Sequence, residues 1–383
     1  MNKKAATTTP VVFMAVASLI AACGEPTSAG SSGNDRANEQ PDSPADIESL
    51  SGSVNLNTSG GVVDEIWEES WWARFMDETG VEIRTSSPAD LSRLRAQVES
   101  GNVEWDVTEI STGGQYLEAV EQDLLTELDQ ERFREYFEQL GGDGDDLMPE
   151  AVATHGIGHA PFATILMFDE REFPEGEPQP SSVTDLWNVE EFPGPRCIHE
   201  QALYNLEIAL AADGVDADDM YPLDVERAIG KLDELVPHIA TFWSAGAESI
   251  QLVADGECVM STVWNGRPFG AQNEDDIDYL GVAWEAGIMA SSYWVIPRGA
   301  PNPESAYALL ATYQLPEVGA STANQVGYGN TNTATDELID EDARPFVATY
   351  GPNLEVLTVQ DEQWWYEHGE SAEERFSEWR LAQ

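Results

Sequence analysis

The chain has 383 residues, 42% of them hydrophobic, which is enough to bury one large core or two of ordinary domain size. Its 71 Asp and Glu against 18 Lys and Arg give a formal charge of −53, a balance that excludes nucleic acid as a partner. Lysine stands only at positions 3, 4 and 231, and a carboxylate shell of this kind stays hydrated in high or variable salt, so the charge speaks for solubility more than for a ligand.

The chain opens on "MNKKAATTTPVVFMAVASLIAACGEP", where Lys3 and Lys4 precede an apolar segment ending in small residues, the form of a secretory signal over residues 1–22. Ile20-Ala21-Ala22-Cys23 resembles the lipobox of bacterial lipoproteins, which implies cleavage before Cys23 and lipidation of that residue. Two or more acyl chains would hold the protein stably on the outer face of the cytoplasmic membrane. A plain signal peptide that happens to carry a cysteine is the alternative. Residues 23–50, rich in Ser, Gly, Pro, Asp and Glu, cannot build a core and read as a flexible tether. Beyond them no run of 18 apolar residues occurs, so no segment of the body reads as a membrane helix.

From residue 53 strands and helices alternate. "SVNLNTSGG" is a strand into a Gly turn, and "DEIWEESWWARFMDETG" has helical spacing (Ile66, Trp67, Trp71, Phe75) that stops at Gly80. "VEIRTSS" is a second strand, "PADLSRLRAQVESG" a helix with Pro88 near its start, "WDVTEIS" a third strand and "GGQYLEAVEQDLL" a third helix. A second set of units runs from about residue 180 through "CVMSTVWNGRP", and "SSYWVIPRGAPNPESAYALLATYQ" adds a strand and a helix. Repeated βα units predict an α/β fold with a mainly parallel sheet, whose ligands sit at the carboxyl ends of strands. In the first set those ends carry Ser59, Gly60, Ser111 and Thr112. Two such lobes in one exported chain suggest a clamshell with its ligand between the halves.

Cys197 and Cys258 lie in strand-like apolar stretches, where a disulfide and two buried thiols are both open. His155 and His159 in "HGIGH" have a spacing that could bind metal on a helix, but two intervening glycines disfavour a helix and no third ligand is evident. They read as satisfied loop histidines, and neither metal nor cofactor is expected. "DEQWWYEHGESAEERFSEW" reads as a docked amphipathic helix.

The stretches "LSRLRAQVESGNVEWDV", "LWNVEEFPGPR", "YPLDVERAIGKLDEL", "QLVADGECVMSTVWNGR", "YWVIPRGAPNPESAYALLATY" and "VGYGNTN" together resemble the spermidine/putrescine-binding protein family of bacterial ABC importers, in consistent order from about residue 54 to 383. The resemblance implies a two-lobe periplasmic-binding-protein fold (type II, Venus-flytrap) with two crossover strands. It divides the chain into lobe 1 at 51–164 plus 290–332 and lobe 2 at 165–289 plus 333–383. It also implies a monomer that hands a small amine to a permease and ATPase, γ-aminobutyrate being the ligand of some relatives. Trp264 matches an aromatic that stacks on the ligand, and Arg267 matches the guanidinium that grips a carboxylate in aminobutyrate-type relatives, a task suited to its planar fork. Three positions depart from the pattern. Ser292 stands where an aspartate holds the amine, an assignment that needs a short insertion at "NEDDID". Gln201 and Tyr204, beside Glu200, stand where other acids are usual, and Ser59 replaces an aromatic.

These departures favour a compact carboxylate-bearing amine over a polyamine. An unpaired buried charge costs several kcal/mol, roughly, and an arginine in the cleft repels a polycation. Arg267 could instead cap carbonyls or pair with a surface acid, and Trp264 could be core. Trp243 and Ser244 could meet the ligand, or Ser244 could only cap the helix that follows, and Tyr328 could touch ligand or only fix the hinge. A polyamine receptor proper, a lipoprotein sensor or adhesin, and a secreted enzyme are the alternatives. No G-x-S-x-G, H-E-x-x-H or Walker pattern supports the last, and no Tyr-Tyr pair supports a ferric-ion receptor.

Overall fold

Polar and apolar residues alternate along β1 (Ser53–Asn57), which buries Val54 and Leu56. The computed structural model describes residues 45–274 and 277–383. The signal segment, Cys23 and most of the tether therefore lie outside the described residues, as do two positions of the "NEDDID" insertion. Residues 45–50, read as the end of the tether, belong instead to the folded body. Ile47 is buried, and the N–H groups of Ala45 and Ile47 donate to Tyr136 Oη (3.1 Å) and Gln139 Oε1 (3.0 Å).

After β1, α1 (Val62–Trp67) runs through a π-helical turn, Glu68–Trp72, into α2 (Ala73–Thr79), which stops at Gly80 in the left-handed conformation. The π turn keeps Trp67, Trp71 and Trp72 all buried, where a regular helix would turn part of so wide an aromatic set to solvent. β2 (Glu82–Ser86) pairs parallel with β1. α3 (Leu91–Ser100) starts from Asp90, whose carboxylate accepts from the N–H groups of Ser92 and Arg93. β3 (Val107–Ile110) pairs with the other edge of β1, and α4 (Gly113–Glu121) follows, capped by Thr112. α5 (Gln130–Gln139) and the short β4 (Val152–Ala153) lead into a 14-residue strand, β5 (Gly156–Asp169).

The second set of units supplies β6 (Arg196–His199), α6 (Asn205–Ala212), α7 (Val225–Leu235), β7 (Ile239–Trp243), α8 (Gly246–Ala254), β8 (Met260–Trp264) and α9 (Gly266–Glu274). β9 (Leu280–Val295) returns along β5, and α10 (Pro303–Tyr313), α11 (Pro316–Val326), α12 (Gly351–Leu354), β10 (Thr358–Val359) and α13 (Glu362–Leu381) complete the chain. α13 is the docked helix its aromatic spacing predicts, with Trp364, Phe376 and Trp379 buried. Cys197 and Cys258 are joined as a disulfide with Cα atoms 5.9 Å apart.

The sheet order β2-β1-β3-β9-β5-β8-β6-β7 explains the two halves. β5 and β9 are the two crossover strands. Their antiparallel register runs from Gly156↔Val295 to His159↔Ser292, breaks, and resumes at Phe162↔Ala290. At the break Ala160 has a φ of 42°. On one side β9 pairs with β3; on the other β5 pairs with β8. Each side has its own core, one built on Trp71, Trp294 and Tyr307, the other on Leu206, Leu232 and Phe376. Among the tryptophans, Trp71 is paired as well as buried, its Nε1–H donating to the Leu309 carbonyl at 2.8 Å.

Asn265, fully buried after β8, ties this junction together. Its Oδ1 accepts from Ala163 N–H (2.8 Å), and its Nδ2 donates to the carbonyls of Gly327 (2.9 Å) and Phe346 (2.7 Å). An Asn265→Leu variant would keep the volume and leave three buried backbone groups without partners, each worth on the order of 1–3 kcal/mol. We expect a loss of about 3 kcal/mol or more, measured by urea unfolding. A variant as stable as the parent would contradict this role.

Candidate functional site

The carboxyl ends of β1 and β3 on one side and of β6 and β8 on the other meet at the break in the β5–β9 pair. Between them lies a cavity of about 430 Å³. Its second-side wall is set by the "WNGR" turn. Gly266 has no room for a side chain, since a Cβ there would overlap the Val326 carbonyl and lie 2.5 Å from the Tyr328 ring. A Cβ on Gly246 would come within 2.6 Å of Arg267 Nε and 3.0 Å of the Trp264 ring. Two glycines thus let α8, α9 and Tyr328 close around the guanidinium.

Arg267 is exposed and lines the cavity. It has neither an ion pair nor a hydrogen bond to its guanidinium among the described residues. A second hollow touches its other flank, lined by Ala247, Ile250, Gln251, Gly270 and Ala271 among others, with no carboxylate in the lining. Among the described residues no acid pairs with Arg267.

The opposite wall carries the cavity's carboxylate. Glu109, near the end of β3, has a side chain only 9% exposed. Its Oε2 accepts from Ser59 N–H at 2.7 Å, and its Oε1 lies 3.5 Å from His159 Nε2. Burial alone would raise this carboxyl, but the hydrogen bond and charge of His159 and the bonds from Ser59 outweigh it and hold it below the usual carboxylate range. Glu109 is a functional candidate that sequence reading missed. Strand alternation in "WDVTEIS" says which residues share a face, not that a glutamate on it faces a closed cleft. The available signal was its place at a strand's carboxyl end.

Eight of the ten expected ligand residues line the cavity: Arg267, Trp264, Ser292, Ser59, Gly60, Thr112, Tyr204 and Tyr328. Two do not. Trp243 is fully buried behind Trp264, its ring 5.3 Å away edge to face, with Nε1–H donating to Thr262 Oγ1, so it supports the site. Ser111 faces a separate hollow with Asp90 and Gln115, and its carbonyl accepts from Ser292 Oγ at 3.2 Å. That bond employs Ser292, standing where an aspartate was expected, in tying β9 to β3. Glu200 also turns away, pairing with Arg380 at 2.9 Å.

The rest of the wall carries no further acid, lysine or arginine among the described residues. Trp67 reaches the cavity from α1, an aromatic on the same side as Ser59 though not at its position. Tyr204 is buried with φ 71° and ψ −37°, a conformation costing a bulky residue on the order of 1–3 kcal/mol, and it lines the cavity. Burial pushes its phenol well above the ordinary range. His199, between Trp243 and Trp264, is pushed down to about 4, mainly by burial, and is neutral at neutral pH. His159 is not the loop residue expected: it lies in β5, 2% exposed, stacked on Trp294 at 4.5 Å. No group of His, Cys, Asp and Glu among the described residues is arranged to hold a metal.

The bacterial extracellular solute-binding protein family matches residues 70–346. The γ-aminobutyric acid-binding protein of Pseudomonas aeruginosa is 31% identical over 341 residues, covering 88% of this chain and 93% of that protein. The spermidine/putrescine-binding periplasmic protein of Escherichia coli is 30% identical over 191 residues, 48% of this chain and 52% of the other. An ABC transporter substrate-binding protein from Bradyrhizobium japonicum superposes with a TM-score of 0.74 at 28% identity, covering 86% of this chain and 99% of that one. A γ-aminobutyrate receptor does so with 0.71 at 28% identity, covering 85% and 97%. The two halves joined by β5 and β9 are the lobes of that fold, and the chain belongs to the bacterial extracellular solute-binding protein family.

Proposed function

We propose that this chain is the extracytoplasmic receptor of an ABC importer and that it captures a compact solute with an ammonium at one end and a carboxylate at the other, an ω-amino acid of the γ-aminobutyrate class. The observation that carries this reading is one cavity with Glu109 on one wall and an unpaired Arg267 among the residues of the other. A guanidinium gives a carboxylate two parallel charge-assisted bonds, and a desolvated carboxylate gives an ammonium its counter-charge. Trp67, Phe162 and Trp264 supply apolar surface for a short methylene chain. Two relatives named for γ-aminobutyrate support the same choice. A diamine fits less well, because its second ammonium would meet Arg267.

The receptor works as a monomer that presents the loaded, closed cleft to a permease and its ATPase. Ile20-Ala21-Ala22-Cys23 supports lipidation at Cys23 and hence a tether on the outer face of the cytoplasmic membrane.

Titration calorimetry with γ-aminobutyrate and putrescine tests the ligand. Arg267→Gln should weaken γ-aminobutyrate by roughly 30-fold or more while leaving the melting temperature of the unliganded protein unchanged. Glu109→Gln should weaken it comparably from the other end. Putrescine binding more tightly than γ-aminobutyrate, or an Arg267→Gln variant of unaltered affinity, would reject the reading. For the anchor, Cys23→Ala should abolish labelling by radioactive palmitate in cells and release the protein into the soluble fraction; a labelled variant would refute it.

A further inference from the structure

Glu109 has a neighbour that the ligand must reckon with. His159 Nε2 stands 3.5 Å from Glu109 Oε1, inside the same cavity. Apart from Glu109, neither ring nitrogen of His159 has a partner among the described residues, and both are buried. The ring cannot easily swing away: Trp294 stacks on it at 4.5 Å, with Trp67 at 6.0 Å and Tyr313 at 5.8 Å packed against it at steep angles.

The charged and titratable groups facing this imidazole are few. β3 contributes Glu109. α10 contributes Tyr313, whose phenol burial keeps protonated, and whose hydroxyl donor capacity is accompanied by a 3.3 Å bond from Ala160 N–H. α1 and its π turn contribute Trp67 and, beside Glu109, Asp64, raised above the usual carboxylate range by burial and by the charge of Glu109 against a hydrogen bond from Thr58. β9 contributes Ser292 and Trp294, which carry no charge.

We infer that His159 is the resident counter-ion of Glu109 and that it limits the site to one ammonium, because the imidazolium and the ligand's ammonium compete for the same carboxylate. This rests on the reading above, in which Glu109 receives the amine. Two cations side by side against one buried carboxylate repel strongly. An aliphatic ammonium holds its proton too tightly to yield, whereas an imidazole gives one up near neutral pH. Capture of the amine therefore expels the proton from His159 to bulk water. By linkage, affinity is highest where the imidazole is already neutral. It falls about tenfold for each pH unit on the acid side of that titration.

The test is calorimetric binding of γ-aminobutyrate to the whole folded protein from about pH 5 to about pH 9, at each pH in two buffers that both hold that pH but differ in ionisation enthalpy, which reveals the protons exchanged. The wild-type protein should release up to about one proton per ligand at the acid end and none at the alkaline end, with affinity rising between them. His159→Gln should bind with the same affinity at both ends and release none. Binding that is independent of pH and free of proton release would overturn this inference while leaving the proposed ligand class standing. So would a His159→Gln variant that keeps the pH dependence, which would move the effect to Asp64. Failure of the wild-type protein to bind γ-aminobutyrate at any pH would overturn both. The two-buffer comparison on unmutated protein needs no variant to fold.

Discussion

The antiparallel pairing of β5 with β9 is the constraint on which the rest of the molecule depends. One strand pair serves two cores, pairing with β3 at one end and with β8 at the other. Its register breaks between His159↔Ser292 and Phe162↔Ala290, and the cleft opens there. Strand side chains alternate faces, so a slip of one residue would turn His159 and Ser292 out of the cavity and carry Trp294 out of the first core. Asn265 reinforces the same junction from outside the sheet, bonding the β5 backbone and the segments at Gly327 and Phe346.

With the walls fixed, the chemistry is a matter of which charges are left without partners. Most cations of this chain are matched: Arg95 with Glu118, Arg171 with Asp169, Arg380 with Glu200. Arg196 is buried and bonded to the carbonyls of Leu186, Gly194 and Phe192. Arg267 differs because the turn that carries it is built from Gly266, the Gly246 contact and Asn265, and the elements flanking it bring alanines and glycines where acids would quench it. Glu109 is the complement. It is buried yet held ionised by a backbone N–H and by His159, which is how a carboxylate stays charged without a fixed cation.

Much of this was legible in the residues. The βα alternation and the ordered family resemblance pointed to a two-lobe fold with two crossover strands and to most of the residues that line the cavity, because those features are carried by local pattern and by turn residues such as the "WNGR" stretch. What failed to show was whatever depends on distant packing. Glu109, His159 and Trp67 come from three different elements and meet only once β5 and β9 pair. Trp243 reads as a candidate ligand residue from its place beside a turn of the second lobe, but the parallel pairing of β6 with β7 places it behind Trp264. Residues 45–50 differ from the tether reading for a related reason: composition marks them as linker, yet Ile47 is buried, Leu50 packs against the first core, and two backbone N–H groups bond to α5.

The acidity of the whole chain bears on selectivity in a way that follows from screening. A formal charge of −53 sets a large field at low salt, but at physiological ionic strength it decays within about 8 Å. Such a field draws every cation alike, a diamine more strongly than a zwitterion, so it cannot select the latter. Selection has to come from groups in direct contact with the solute, where screening is least. Arg267 in the cavity lining opposes the overall field, and on the proposed reading a solute whose negative end it grips would gain what a polycation would lose there. On the proposed reading, the more acidic the surface, the more discrimination would depend on that guanidinium remaining unpaired, so the absence of a carboxylate among the described residues lining its second hollow would matter as much as the presence of Glu109 across the cleft.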